Sequence, residues 1–219
     1  LVGSEMCIRD RGETATAIDR DARVVRTDQG EYPYDRLALT LGARPRRLPA
    51  AMGGEMPGVH VVRNLADIAA LRPALAPGRR LVVIGGGYIG LEAAAVARKL
   101  GLAVTLVEAA PRILGRVAAA ETADMIRDLH RTHGVEVIEG VGIARITGDT
   151  AANGVALADG RHLPADLVIC GIGVSPETAL AEAAGLEIDN GIAVDAQGRT
   201  SDPAVWAAGD CASFPMSRG

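Results

Sequence analysis

The sequence contains few cysteines and few aromatic residues. Its 219 residues include three Cys, one Phe, one Trp and three Tyr. The scattered positions of Cys7, Cys170 and Cys211 argue against a disulfide framework and against a metal site, and fit a cytoplasmic protein. The scarcity of aromatics leaves no stacking surface for single-stranded nucleic acid, and a net charge of −4 provides no basic patch. We therefore expect no nucleic-acid partner.

Long apolar segments are also missing. The most hydrophobic stretch, from Leu81 to Val96, carries Glu92 and four glycines, so it is not the run of about 18 uncharged apolar residues that a membrane helix needs. We therefore expect no membrane span. The 48% hydrophobic content is nevertheless ample for one large or two small domains.

The two ends of the chain differ from the rest. Residues 1–11 show neither helical nor strand periodicity, and we expect them to be a non-native leader. The sequence stops at Gly219, shortly after a strand and loop of the kind that lie inside a domain. We therefore expect the chain to be a fragment of a longer protein.

The hydrophobic pattern predicts a mixed α/β protein. Apolar runs alternate with amphipathic helices in the order β-α-β-α-β over residues 81–138, with a glycine turn between the first strand and the first helix. Short strands separated by turn residues predict antiparallel meanders at residues 14–41 and 141–157. The expected fold therefore combines parallel sheets with antiparallel meanders.

Three glycines follow the first strand of this unit in the spacing G-x-G-x-x-G. Gly85 permits a tight turn, Gly87 lets the backbone approach a pyrophosphate, and Gly90 allows close packing of the helix on the strand. The helix that begins near Tyr88 would direct its free N–H groups and its positive dipole end at the phosphates. Together with the preceding strand and the following helix, the spacing predicts a dinucleotide site.

Glu108 stands at the end of the second strand, 23 residues after Gly85. An acidic residue about 20 residues into such a unit binds the adenosine ribose hydroxyls, and its charge would repel a 2′-phosphate. The sequence therefore predicts NAD rather than NADP. Arg112 and Arg116 follow, and either could pair with a phosphate; Arg116 could equally serve the pyrophosphate or be a surface charge.

Several longer segments carry a family signature. They are residues 34–37 and 42–45, VVRNLADIAALR at 61–72, RLVVIGGGYIGLEAA at 80–94, GIGVSPETALAEAAGLEIDNGIAVD at 171–195 and RTSDPAVWAAGDCASF at 199–214. Together they resemble the FAD-dependent pyridine nucleotide-disulfide oxidoreductase superfamily. The resemblance is to its ferredoxin reductase branch, which serves bacterial oxygenase systems such as those of putidaredoxin, rhodocoxin or biphenyl dioxygenase.

The resemblance implies two Rossmann-like dinucleotide-binding domains. Residues 12–63 and 172–219 would form an incomplete FAD domain, and residues 64–171 would form a complete NAD domain inserted in it. One departure lies at Thr40-Leu41-Gly42, where the family has Ala-Thr-Gly before the flavin. The resemblance thus places the predicted glycine motif in the NAD domain.

The resemblance also implies residues that bind the two cofactors. By position, Asp210 matches an aspartate that accepts hydrogen bonds from the ribityl chain of FAD, and Arg63 matches an arginine that contacts FAD. Glu92 matches a glutamate near the nicotinamide and the flavin. Gly171 and Gly173 match a loop that passes the nicotinamide half of NAD.

The function implied by the resemblance is that of an NADH-dependent flavoprotein reductase with FAD and NAD as its cofactors. A hydride would pass from NADH to FAD, and electrons would then pass to a ferredoxin-type [2Fe-2S] protein. This chemistry requires no side-chain acid or base, so no catalytic residue is predicted. Two alternatives remain open: a thiol or peroxide reductase of the same superfamily, with its redox cysteine before residue 12, and an NAD-binding fragment without turnover.

Overall fold

The computed structural model describes residues 11–215, which form two compact units. Among the described residues, 11–44 and 175–215 belong to the first unit, and Pro45–Val174 form the second. Residues 45–63, predicted above as part of the FAD domain, pack with the second unit. Cys7 and the predicted leader, apart from Arg11, lie outside the described residues.

Strands and short helices follow one another along the chain. The first strands are β1 (Ala15–Asp19), β2 (Val24–Thr27), β3 (Glu31–Pro33), β4 (Leu37–Leu39) and β5 (Ala43–Pro45). Next come β6 (Val59–His60), α1 (Leu65–Leu71), β7 (Arg80–Ile84), α2 (Tyr88–Lys99), β8 (Ala103–Glu108), α3 (Ala120–Thr132), β9 (Val135–Glu139), β10 (Ile143–Thr147), β11 (Gly154–Leu157), β12 (His162–Pro164) and β13 (Leu167–Cys170). The last elements are β14 (Val174–Pro176), α4 (Ala179–Ala183), β15 (Ile192–Ala193), β16 (Val205–Ala207) and β17 (Ala212–Ser213).

The second unit is built on a parallel sheet with the strand order β6-β13-β7-β8-β9. Its central strands, β7 and β13, are apolar on both faces because both faces are covered. In β7, Leu81 and Val83 join the core beneath the helices, whereas Val82 and Ile84 join a core on the opposite face. The predicted β-α-β-α-β order is confirmed.

An antiparallel meander, β10-β11-β12, supplies the core on that opposite face. Val155 of β11 is fully buried there, and Ile146 of β10 is nearly so. On the other face, α1 begins with a clear signal: Asn64 caps the helix, and its side chain and that of Asp67 form a reciprocal capping box. The sheet therefore has one helical layer and one β layer.

The first unit combines an antiparallel ribbon with two short parallel pairs. The ribbon has the order β1-β2-β3, while β4 pairs with β16 and β15 pairs with β17. Ile18, Leu39, Ile192 and Val205 are buried in its core. An ion pair of 2.7 Å between Arg20 and Asp202 joins the ribbon to the segment before β16.

Five short strands, β3, β5, β12, β14 and β17, were not expected from the sequence. β3 and β12 are three residues long and end at Pro33 and Pro164. Strands this short show no alternation of apolar and polar residues, and proline is a turn signal.

Among residues 11–215, no helix is long and apolar enough to cross a membrane.

Asp166 joins the start of β13 to the start of β7. Its carboxylate accepts a hydrogen bond from the backbone N–H of Arg80 at 2.8 Å and another from the Arg80 guanidinium at 2.8 Å. These bonds to Arg80 lower the pKa of Asp166 from 3.8 to about 2. Two neighbouring strands of the sheet are thus linked by a carboxylate that must be ionised.

We expect this carboxylate to make folding stability sensitive to acid. Because its pKa is lower in the folded state, its stabilisation is present above pH 3.8 and is lost as the pH falls towards about 2. The unfolding free energy, measured by urea denaturation, should fall less steeply over this range in Asp166→Asn, whose amide oxygen can still accept from the Arg80 N–H. Asp149→Asn, at an exposed turn, is the control; equal slopes in all three proteins would contradict the prediction.

Candidate functional site

The glycine turn brings backbone segments into direct contact. Gly85 leaves β7 with φ of +106°, which side chains rarely allow, and a Cβ there would collide with the carbonyl oxygen of Gly171. Gly90 is buried in the first turn of α2, and a Cβ there would collide with the carbonyl oxygen of Gly85. The helix therefore lies directly on the turn, as the spacing predicts.

Gly87 is the N-cap residue of α2 and faces open space. A Cβ at this position would meet no atom within 4 Å, and no side chain caps this end of the helix. The first N–H groups of α2 are therefore available to an acceptor, and the helix dipole favours negative charge there. The geometry suits a phosphate group.

Glu108, at the end of β8, both borders this space and holds the turn. One carboxylate oxygen accepts a hydrogen bond from the N–H of Gly86 at 2.6 Å, and the other accepts one from the N–H of Ala110 at 2.7 Å. Each oxygen keeps a further lone pair, so Glu108 can still accept hydrogen bonds from ligand hydroxyls. It is partly buried rather than a solvated loop carboxylate.

A cavity of about 720 Å³ opens beside the glycine turn. The predicted site residues that line it are Gly85, Gly87, Glu108, Arg116, Gly171 and Gly173. A neighbouring cavity of about 520 Å³ shares Gly87, Glu108 and Arg116 with it and also borders Arg112. The structure therefore brings the predicted NAD residues other than Glu92 to one place, with Gly90 packed behind them.

The remaining predicted residues lie elsewhere. Arg63 and Glu92 line a separate groove of about 550 Å³ formed largely by residues of α1 and α2. Asp210 is exposed in the first unit, on a short 3-10 turn, Gly209–Cys211, after β16. The predicted FAD residues are thus distributed over both units.

The sequence did not predict the residues that contact the glycine turn through Gly86. Gly86 accepts a hydrogen bond from the N–H of Leu114 at 2.9 Å, and a Cβ on Gly86 would lie 2.6 Å from Cγ2 of Ile113. Gly86, the second of three consecutive glycines, was the available signal, because a glycine outside the motif positions also indicates close packing. Pro45 and Leu48 line the larger cavity and carried no such signal.

Both cysteines among residues 11–215 are buried. Cys170 ends β13 at the wall of the larger cavity, and burial raises the pKa of its thiol to about 11. The Cys211 thiol donates to the carbonyl oxygens of Leu39 and Ala208, at 3.6 and 3.4 Å. Within the described residues, no three His, Cys, Asp or Glu side chains cluster as metal ligands would.

Comparison with known proteins finds similarity along almost the whole chain. The family described as pyridine nucleotide-disulphide oxidoreductase matches residues 6–218. The chain is 46% identical to putidaredoxin reductase of Pseudomonas putida, over 93% of this chain and 50% of that protein. It is 44% identical to the biphenyl dioxygenase system ferredoxin–NAD(+) reductase component of Paraburkholderia xenovorans, over 95% of this chain and 51% of that protein.

A solved structure shows the same fold. The crystal structure of the covalent putidaredoxin reductase–putidaredoxin complex matches with a TM-score of 0.87 and 44% identity, over 94% of this chain and 51% of that one. The α/β fold with dinucleotide-binding units is therefore confirmed. The chain spans about half the length of these relatives.

We expect Cys170 to be chemically inert in the folded protein. With its pKa near 11, the thiolate fraction at pH 8 is about 100-fold smaller than that of a free cysteine, and burial restricts access further. The rate of reaction with a chromogenic disulfide, measured in Cys7→Ser/Cys211→Ser protein, should rise by at least that factor on unfolding in guanidinium. Equal rates in the folded and unfolded protein would contradict this expectation.

Proposed function

This chain belongs to the pyridine nucleotide-disulphide oxidoreductase family, and we propose that it is part of an NADH-dependent flavoprotein reductase. In this proposal, the whole protein transfers a hydride from NADH to FAD and then electrons to a ferredoxin-type [2Fe-2S] protein. The observation that carries the proposal is the cavity where the N-terminus of α2 and Glu108 face the same space. The names of the relatives, which are putidaredoxin and ferredoxin reductases, support this class of acceptor.

NAD fits the site by charge and by shape. The N–H groups at the start of α2 would bind the pyrophosphate, which can approach closely because Gly87 has no Cβ. Arg116, exposed at the border of both cavities, would pair with the same group. Glu108 would accept hydrogen bonds from the adenosine ribose hydroxyls, and Gly171 and Gly173 would border the nicotinamide half.

The residues proposed for FAD are polar and accessible. Asp210 would accept hydrogen bonds from the ribityl chain, Arg63 would contact FAD, and Glu92 would lie near the nicotinamide and the flavin. Leu41, which stands where the family has threonine, packs against the core of the first unit, so it offers no hydroxyl. When bound, FAD would supply the hydride and single-electron chemistry that side chains lack, while these residues bind and orient it.

Two other functions remain as alternatives. A thiol or peroxide reductase would carry its redox cysteine before residue 12, since both cysteines among residues 11–215 are buried. An NAD-binding chain without turnover would use the same cavity and differ only in its lack of NADH oxidation. A cytoplasmic location is proposed from the cysteine usage of the sequence.

The test is a titration of the full chain with NADH, followed by fluorescence, with and without added FAD. We expect saturable binding in both cases, and oxidation of NADH by ferricyanide only with FAD. Gly87→Ala is the matched variant: its methyl group meets nothing within 4 Å in the protein, so folding is preserved. It blocks the approach of the pyrophosphate and should raise the Kd for NADH by about tenfold or more.

Each outcome of this titration has a distinct meaning. Absence of NADH binding by the folded wild-type chain would overturn the proposal. Binding without oxidation in the presence of FAD would favour the NAD-binding alternative. Oxidation that stops on alkylation of a cysteine would favour the thiol reductase.

Glu108→Gln tests the choice of nucleotide. The amide keeps the size of the side chain but removes the charge that would repel a 2′-phosphate. We expect the preference for NADH, measured as the ratio of the Kd values for NADPH and NADH, to fall about tenfold. An unchanged ratio would show that Glu108 does not select the nucleotide.

A further inference from the structure

An ion pair joins α3 to the end of β9, outside the cavity of about 720 Å³ that is proposed to bind NAD. Glu139, the last residue of β9, accepts a hydrogen bond from Nη1 of Arg127 on α3 at 3.3 Å. Their side chains are only 14% and 20% exposed, in that order. Neither residue lines the cavities beside the glycine turn.

The second carboxylate oxygen of Glu139 points at the loop after β8. It accepts a hydrogen bond at 2.9 Å from the backbone N–H of Ile113, whose side chain is fully buried. A buried N–H without a partner is costly, so this bond fixes the position of the Ile113 backbone. Arg127 in turn fixes the orientation of the carboxylate.

Ile113 and Leu114 connect the loop after β8 to the glycine turn through their contacts with Gly86. Ile113 packs against Gly86 so closely that a Cβ on Gly86 would lie 2.6 Å from its Cγ2 atom. The N–H of Leu114 donates to the carbonyl oxygen of Gly86 at 2.9 Å. Leu114 holds a φ of +52°, unusual for a side-chain-bearing residue, which indicates that its surroundings determine this conformation.

Gly86 is thus held from two sides. Glu108 binds its N–H group, and Leu114 binds its carbonyl group. The peptide that follows leads directly to Gly87, the residue proposed to meet the pyrophosphate. A shift of the Ile113 backbone would therefore move the phosphate-binding backbone itself.

We propose that Glu139 and Arg127 are positioning residues for NAD, acting through Ile113, Leu114 and Gly86. This inference rests on the proposed function, because it requires NAD to bind at the glycine turn. The pair contacts no ligand and takes no part in chemistry. Its role is to hold the turn in the geometry that accepts a pyrophosphate.

The test compares three substitutions on the same strand, β9. Glu139→Ala removes the acceptor of the Ile113 N–H, whereas Glu139→Gln keeps an acceptor of the same length. Glu136→Ala is the matched control, since Glu136 is exposed and its carboxylate accepts from Thr105, away from the turn. Arg127 keeps an ion pair of 2.8 Å with Asp124 in each variant, so no buried charge is left alone.

We expect Glu139→Ala to raise the Kd for NADH by about tenfold. Glu139→Gln should restore most of the affinity, and Glu136→Ala should change it less than about twofold. Amide hydrogen exchange should quicken at residues 85–90 and 113–114 in Glu139→Ala, at a temperature where all variants are folded. A residue with a merely structural role would change the melting temperature without this localised effect.

The result that would overturn the inference is NADH affinity in Glu139→Ala equal to that of Glu136→Ala. Exchange that quickens uniformly over the second unit would also overturn it, since the pair would then stabilise the unit as a whole. Failure of the wild-type chain to bind NADH would instead overturn the proposed function. The two failures are therefore distinguishable.

Discussion

The close approach of α2 to the glycine turn is the constraint on which the second unit depends. Three glycine backbones meet there: Gly85 at the end of β7, Gly90 in the first turn of α2, and Gly171 after β13. Because none has a side chain, the helix can start directly above the sheet, and its N-terminus opens into the cavity. The position of the site and the packing of the helical layer thus result from the same contact.

Glu108 has two roles at the glycine turn, one structural and one towards the proposed ligand. Its two backbone hydrogen bonds fix Gly86 and Ala110, and its remaining lone pairs and negative charge face the space proposed for adenosine. A residue used only for nucleotide selection could be exchanged freely, whereas Glu108 is also part of the turn. Changes in nucleotide preference in this protein would therefore require an acceptor at the same position.

The elements of the fold were largely predictable, because long apolar runs and a steric motif depend on local sequence. The strands from β7 to β9 and the spacing of Gly85, Gly87 and Gly90 are examples. The bond between Glu139 and Ile113 was not predictable, since it joins a common side chain to a backbone N–H that almost every residue carries. The left-handed backbone conformation of Leu114 was not predictable for a similar reason, because it results from packing around Gly86.

The first unit is discontinuous in sequence, and this has a consequence for how the chain acquires its structure. β4 must pair with β16, which is separated from it by the whole of the second unit. Closing so long a loop is entropically costly while the intervening chain is disordered, whereas a folded insert shortens the distance between its ends. We therefore expect the second unit to fold first during synthesis, with the first unit assembling only after residue 207 has left the ribosome.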